Sequence, residues 1–129
     1  RDACGTVPFA APEVHMCCEY NGRAADMWSL GIVLLEVLCG VGVVEKSLHL
    51  KPPDERMVRK INRSFAAPGT VEGILASHAR KELLILLPPC QGLGRGLLAV
   101  HAPSRWKAQD AMLIATSIME SIDLLQGSV

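Results

Sequence analysis

The segment from Ala24 to Cys39 constrains the fold more than any other part of this 129-residue chain. Apolar side chains would lie around nearly the whole circumference of a helix at residues 24–39, which is typical of a helix buried in a core or crossing a membrane. A membrane span needs about 18 or more apolar residues with few charges. Asp26 and Glu36 interrupt this segment, and Gly40 can cap its end. The pattern therefore favours a central buried helix over a membrane span.

The composition agrees with a folded, helix-packed domain. Half of the residues are hydrophobic, 20% are charged and only 4% are aromatic, which argues against disorder. Thirteen basic residues balance thirteen acidic ones, so nothing indicates a nucleic-acid or anionic-membrane partner. The chain has five cysteines, which is an odd number, and no two of them form a Cys-x-x-Cys pair. Reduced thiols of an intracellular protein are therefore expected rather than disulfides or a zinc ribbon, and His15-x-Cys17-Cys18 is interpreted as ordinary loop.

The remaining elements predicted from the sequence are helices, and no segment is patterned as a strand. The predicted helices cover 13–18, 55–63 with Asp54 as N-cap, 71–87, 95–101 and about 107–125. Breaks are predicted at Asn21-Gly22, at Phe65–Gly69 and, most clearly, at Pro88–Gly94. The last helix has a stripe at amphipathic spacing, made of Ala111, Ala115, Ile118, Ile122 and Leu125. A mainly α fold is the prediction.

Charged residues cluster on the predicted 55–63 helix. They are Glu55, Arg56, Arg59, Lys60 and Arg63. We interpret them as a solvated face, with a docking surface for an acidic partner as the alternative.

Two motifs lie close together near the start of the chain. The first runs Cys4-Gly5-Thr6-Val7-Pro8-Phe9-Ala10-Ala11-Pro12-Glu13, and the second is Asp26-Met27-Trp28-Ser29-Leu30-Gly31. Together they resemble the end of a protein-kinase activation segment, which an Ala-Pro-Glu element closes, followed by the central helix of the kinase C-lobe. The resemblance implies a C-terminal-lobe piece of a Ser/Thr protein kinase domain, a helical subdomain of an α+β fold without its N-lobe.

The resemblance also implies an organisation for the chain. Residues 1–22 would be the end of the activation segment and the substrate loop, 24–39 the central buried helix, and 54–125 the other C-lobe helices with an insertion near 66–96. The chain contains no His-Arg-Asp, Asp-Phe-Gly or Gly-x-Gly-x-x-Gly sequence, the motifs with which kinases hold ATP and metal. ATP and Mg²⁺ are thus expected for the parent kinase, and this piece is expected to bind neither and to be inactive by itself.

In a Ser/Thr kinase, the residues matching Thr6, Val7, Pro8 and Phe9 bind the substrate. Thr6 would help to seat the hydroxyl of the Ser or Thr that accepts the phosphate. The stretch from Val7 to Phe9 would line the pocket for the next substrate residue, and Pro8 stiffens this loop by fixing its φ.

Four further residues match structural positions of the family. Glu13 would form a buried ion pair with Arg105, since Pro103-Ser104-Arg105-Trp106-Lys107 resembles the segment before the last kinase helix. Lys107 replaces the usual Thr or Ser there, which leaves the N-cap of that helix in doubt. Asp26 would hold the catalytic loop or favour the start of its own helix, while Trp28 and Gly31 would serve packing.

Asp2 occupies the position at which many Ser/Thr kinases carry an activating phosphothreonine, two residues before the Cys of Cys-Gly-Thr. Its carboxylate could replace part of the phosphate charge. The alternative is a solvated loop residue.

Three functional readings of the chain follow. The favoured one is a piece of an intracellular, cytoplasmic Ser/Thr kinase whose partners are protein substrates and the missing N-lobe and catalytic loop, with no nucleic acid or membrane. A pseudokinase or a non-catalytic helical interaction module is the main alternative. A helical membrane protein is the third.

Overall fold

The computed structural model describes residues 8–16, 19–50, 56–82 and 87–127. Within these ranges all regular elements are helical, as predicted. They are α1 (Pro12–Met16), α2 (Gly22–Cys39), α3 (Val43–Ser47), α4 (Met57–Ala66), α5 (Thr70–His78), α6 (Leu87–Leu97), a short 3₁₀ turn at Ala102–Ser104, and α7 (Ala108–Gly127).

Helix α2 is the centre of the core, as its apolar sequence predicts. Its side chains Trp28, Ile32 and Leu35 are completely buried. Helices α3, α5 and α6 pack against it, and α1 packs against α4 on the same body. The central-helix prediction is therefore confirmed, and none of the helices in the described ranges is long and apolar enough to cross a membrane.

The ends of α2 are fixed by two residues with different roles. The break predicted at Asn21-Gly22 is the start of the helix: the Asn21 Oδ1 atom accepts a hydrogen bond of 3.1 Å from the Ala24 N–H, and Gly22 is the first helical residue. Asparagine is a good N-cap, so the same side chain that favours turns can start a helix. Gly40 ends α2 at φ +108°, and its N–H donates to the Glu36 carbonyl at 2.8 Å.

Helix α4 is displaced from its predicted bounds of 55–63. It runs to Ala66, so the break lies at 67–69 rather than at Phe65. The reason is that Phe65 continues the buried face of Met57 and Ile61, and this packing favours one more helical turn. Asp54, the expected N-cap, lies outside the described residues.

The predicted helix over 71–87 is right as far as His78 and wrong beyond it, and the predicted break over 88–94 is wrong. Helix α5 ends at His78, and the Arg80 N–H donates to the Leu38 carbonyl at 3.1 Å. Helix α6 then contains Pro88, Pro89 and three glycines, and the helix expected at 95–101 ends at Leu97. Prolines are tolerated here because the N–H groups of a first helical turn have no intrahelical acceptor.

The glycines of α6 allow close contact with neighbouring elements. A Cβ atom at Gly94 would lie 2.8 Å from Val71 Cγ1, and one at Gly96 would overlap the Trp106 ring. Packing of α6 on α5 and on Trp106 therefore outweighs the weak helix propensity of glycine. Whether residues 66–96 are an insertion relative to other kinases stays a prediction.

Helix α7 begins one residue later than predicted and is buried only near its start. Ala111 is buried, whereas Ala115, the next residue of the predicted stripe, is exposed; the other stripe side chains lie outside the described set. This part of the stripe prediction is wrong because few neighbours cover α7 beyond its first turns. The N-cap doubt at Lys107 is resolved by Asp110, whose Oδ2 accepts from the Lys107 N–H at 3.0 Å.

Candidate substrate-loop clamp

An ion pair joins two positions that are 92 residues apart in the sequence. The guanidinium of Arg105 donates to both carboxylate oxygens of Glu13, with Nη1–Oε2 and Nη2–Oε1 distances of 2.6 and 2.9 Å. The side chain of Arg105 is 0% exposed and that of Glu13 is 11% exposed. This is the bidentate contact expected from the sequence, and its fork geometry requires arginine rather than lysine.

The remaining donors of Arg105 tie together two further segments. Its Nε donates to the Ala99 carbonyl and its Nη1 to the Ala24 carbonyl, both at 2.8 Å. The guanidinium also lies over the Trp28 ring, 5.3 Å from the centroid, a cation–π arrangement. The buried guanidinium of Arg105 therefore has an ion pair, hydrogen bonds and a cation–π contact. Together these offset the free-energy cost of removing its charge from water.

Helix α2 holds the loop that leads into α1. The Trp28 Nε1–H donates to the Pro8 carbonyl at 2.9 Å, and the Ser29 hydroxyl donates to the Phe9 carbonyl at 2.6 Å. Trp28 is itself fixed edge-on against Phe65, with ring centroids 5.3 Å apart. Two successive loop carbonyls thus bind two successive side chains of one buried helix.

We call the set Glu13, Trp28, Ser29 and Arg105 the clamp. Ser29 and the carbonyls of Ala24 and Ala99 were not singled out from the sequence. Ser29 lies next to Trp28 in the second motif, so the motif could have indicated that Ser29 belongs to the site. The backbone carbonyls could not be found, because any residue provides one.

The electrostatics of the clamp favour an ionised Glu13. Burial raises the pKa of its carboxyl, but the hydrogen bonds from Arg105, a backbone hydrogen bond and the guanidinium charge together outweigh burial, so the pKa lies below its ordinary value of 4.5. The carboxylate is therefore charged, and the clamp closed, throughout the neutral pH range.

The other predicted residues divide into two groups. Pro8 is buried and Phe9 packs partly buried against the core, and Gly31 lies where a Cβ would be 2.8 Å from Leu98. Asp26 is exposed and follows the first turn of α2, so it does not serve the helix start as one reading expected. Asp2, Thr6 and Val7 lie outside the described residues, and their roles stay predictions.

The metal-ligating residue types of the described ranges are not clustered. None of their His, Cys, Asp and Glu side chains form a group of three that could hold a metal ion, and each carboxylate oxygen of Glu13 accepts a hydrogen bond from Arg105. Cys39 and Cys90 are free thiols, and burial raises the pKa of both, which makes them poor nucleophiles at neutral pH.

The fold and clamp define a helical kinase C-lobe, and comparison with known proteins gives the family. A family model for the protein kinase domain matches residues 1–114. The chain therefore belongs to the protein kinase domain family.

Three of the relatives that it matches are serine/threonine-protein kinases. The testis-specific serine/threonine-protein kinase 5 of Mus musculus is 35% identical over 107 residues, which are 82% of this chain and 23% of that protein. The serine/threonine-protein kinases SIK1 of Rattus norvegicus and SIK2 of Gallus gallus are each 54% identical over 37 residues, covering 29% of this chain and 5% of theirs. The chain thus spans less than a quarter of each relative, and no solved structure matches it.

Proposed function

We propose that this chain is the substrate-loop mount and C-lobe scaffold of a Ser/Thr protein kinase, whose complete domain transfers the γ-phosphoryl group of ATP to a Ser or Thr hydroxyl. The observation that carries the proposal is the double attachment of the loop. Its carbonyls at Pro8 and Phe9 bind α2, and Glu13 binds Arg105 just before α7.

Such a mount matters because phosphoryl transfer depends mainly on positioning. Thr6 and Val7 directly precede the two attached residues in the sequence. Thr6 would seat the accepting hydroxyl, and the residues from Val7 to Phe9 would contact the next substrate residue. The chain itself supplies binding and orientation of the protein substrate.

A chimeric kinase tests this proposal. The segment of the mouse relative that aligns with this chain is replaced by residues 1–114, and phosphorylation of a Ser/Thr peptide is measured with ATP and Mg²⁺. We expect phosphate transfer by the chimera and none by the purified 129-residue chain. Glu13→Gln in the chimera should raise KM for the peptide and lower kcat, because the substrate loop loses one of its two attachments.

The controls separate function from folding. The unaltered mouse kinase must be active in the same assay, and Glu72→Gln, which removes a partly exposed ion pair with Arg95, should leave the chimera's kinetics unchanged. A folded but inactive chimera would overturn the proposal and favour a non-catalytic interaction module. Phosphorylation by the isolated chain would overturn the view that other parts supply the chemistry.

A further inference from the structure

Helix α4 carries a basic face that the clamp does not use. Arg59, Lys60 and Arg63 are exposed, with Arg56 one turn before Lys60; the spacing of i, i+3, i+4 and i+7 places all four on one side. The opposite side contains the buried residues Met57, Ile61 and Phe65. We call the set Arg59, Lys60 and Arg63 the basic ridge.

The ridge is not neutralised by the part of the chain that the structure describes. Helix α4 contains no acidic residue, and no ion pair among the described residues includes Arg59, Lys60 or Arg63. Like charges three or four residues apart destabilise a helix, so local helix stability does not explain this arrangement. The helix is held by its buried face, and the ridge side chains are exposed.

Contacts with neighbouring elements also set the position of the ridge. The Lys60 ammonium donates to the His49 carbonyl at 3.2 Å, which fixes the long side chain and leaves donors for a ligand. Helix α4 packs against α1, the helix that contains Glu13, and its Phe65 contacts the Trp28 ring. The ridge therefore lies on a helix that packs directly against the helix following the substrate loop.

We propose that the basic ridge binds an acidic segment of the protein substrate, at a site separate from the residue that is phosphorylated. This inference rests on the proposed function for the identity of its ligand as a substrate. Arginine forks pair with carboxylates through two parallel hydrogen bonds, and Cβ atoms about 5–6 Å apart on a helix present the cations as a short row. An extended chain of Asp and Glu residues offers a complementary row.

A protein segment fits the ridge better than a nucleic acid does. The chain has no net charge, whereas nucleic-acid-binding domains are commonly basic as a whole. The aromatic residue of α4, Phe65, is buried, so the helix offers no ring on which an unpaired base could stack.

Direct binding to the full 129-residue chain is the first test. The probe is a fluorescein-labelled 12-residue peptide with six glutamates alternating with serine and glycine, and its matched control has glutamine in place of glutamate. We expect the acidic peptide alone to raise fluorescence anisotropy. The variant Arg59→Gln/Lys60→Gln/Arg63→Gln should weaken binding about tenfold or more, since three partly exposed charge contacts are lost.

A charge-matched variant tests whether the site is local. Arg23, Lys46 and Lys81 are exposed cations outside α4, so Arg23→Gln/Lys46→Gln/Lys81→Gln lowers the net charge by the same three units. It should bind the acidic peptide as the wild type does. Equal weakening by both triple variants, or no weakening by the ridge variant, would overturn the proposal.

Two further measurements keep the test informative if the ridge variant folds poorly. Binding by the wild-type chain should fall steeply when NaCl is raised from about 0.05 to about 0.5 M, because exposed charges are screened. A 20-nucleotide single-stranded RNA should compete weakly; ridge-dependent binding of RNA tighter than that of the peptide would reject the protein ligand.

The chimeric kinase separates this inference from the proposed function. Adding the six-glutamate segment to a Ser/Thr peptide should raise kcat/KM severalfold, and the ridge variant should remove that difference. If the chimera is inactive but the isolated chain still binds the acidic peptide through the ridge, the proposed function fails and the ridge remains a binding site. If the chimera is active and the acidic segment changes nothing, the docking role fails.

Discussion

Helices α2 and α7 are similar in length and both are rich in apolar residues, yet these residues are largely buried in α2 and exposed in most of α7. Trp28, Ile32 and Leu35 of α2 are completely buried, whereas Met112, Leu113, Met119 and Leu124 of α7 are 66–74% exposed. Neighbours explain the difference: three helices pack on α2, while α7 contacts mainly α6. Apolar composition predicts that a helix can be buried, and the surrounding elements decide whether it is.

The change from buried to exposed side chains occurs within α7. Ala111 and Ile114 pack against Leu97 and Trp106, and every described side chain from 115 onward is exposed. The match to the kinase family ends at residue 114. The first turns of α7, which pack on neighbouring residues, therefore lie within the stretch that matches the kinase family, and the exposed part follows that stretch.

The largest expected effect comes from breaking the clamp that joins α1, α2 and the start of α7. Arg105→Met should lower the free energy of unfolding by about 3–5 kcal/mol, because it leaves the Glu13 carboxylate buried without a partner. Urea denaturation followed by circular dichroism measures this loss.

The matched control is Arg95→Met, which removes an exposed pair with Glu72 whose two side chains are 62% and 32% exposed. It should cost at most about 1 kcal/mol. The double variant Glu13→Gln/Arg105→Met should cost less than the sum of its single variants. Equal small losses for Arg105→Met and Arg95→Met would show that the clamp does not bind α2 to its neighbours.

A second test concerns how closely α2 is packed. Gly31→Ala places a Cβ 2.8 Å from Leu98 Cδ2 and 2.9 Å from Leu97 Cβ, and overpacking of this kind costs about 1–3 kcal/mol. Gly73→Ala in α5 meets no atom within 4 Å and should stabilise the fold by about 0.5–1 kcal/mol. Thermal denaturation of both variants measures the difference. Stabilisation by Gly31→Ala would contradict the tight contact between α2 and α6.

The sequence predicted the parts of the fold that depend on long, strong patterns. The apolar run of α2, its end at Gly40 and the Glu13–Arg105 contact were all predictable, the last because two motif residues matched family positions. The sequence placed Pro8 and Phe9 in a loop. It could not predict that their carbonyls accept hydrogen bonds from α2, because every residue has a backbone carbonyl.

The failures share a physical cause, which is that tertiary contacts outweigh local propensity. The prolines and glycines of α6, from Pro88 to Gly96, predict a break in the helix. In the structure, however, Val71 and Trp106 approach two of these glycines so closely that a Cβ atom would not fit. Asn21 has equal preference for turns and for N-caps, and only the helix that follows decides between them. Phe65 extends α4 because the core offers it a place beside Trp28.

A third test uses pH to isolate the clamp. The pKa of Glu13 is lowered in the folded state, so the unfolded state binds the proton more readily and the stabilisation is present above the ordinary value of 4.5. It is lost as pH falls below 4.5 through the folded pKa. The difference in unfolding free energy between the wild type and Glu13→Gln should be constant from pH 7 to about 5 and should shrink below pH 4.5. A difference that does not change with pH would exclude Glu13 as the ionised partner.

The smallest effect is expected in the exposed part of α7. Met119→Ser changes a side chain that is 66% exposed, so the free energy of unfolding should change by less than about 0.5 kcal/mol. The contrasting variant Leu35→Ala, in the fully buried part of α2, should cost about 2–5 kcal/mol. Equilibrium urea denaturation should be run together with sedimentation velocity at several protein concentrations. A loss above about 1 kcal/mol at Met119, or a change of oligomeric state on its substitution, would mean that a second copy covers this surface in solution, and the contrast between α2 and α7 would then hold only for the monomer.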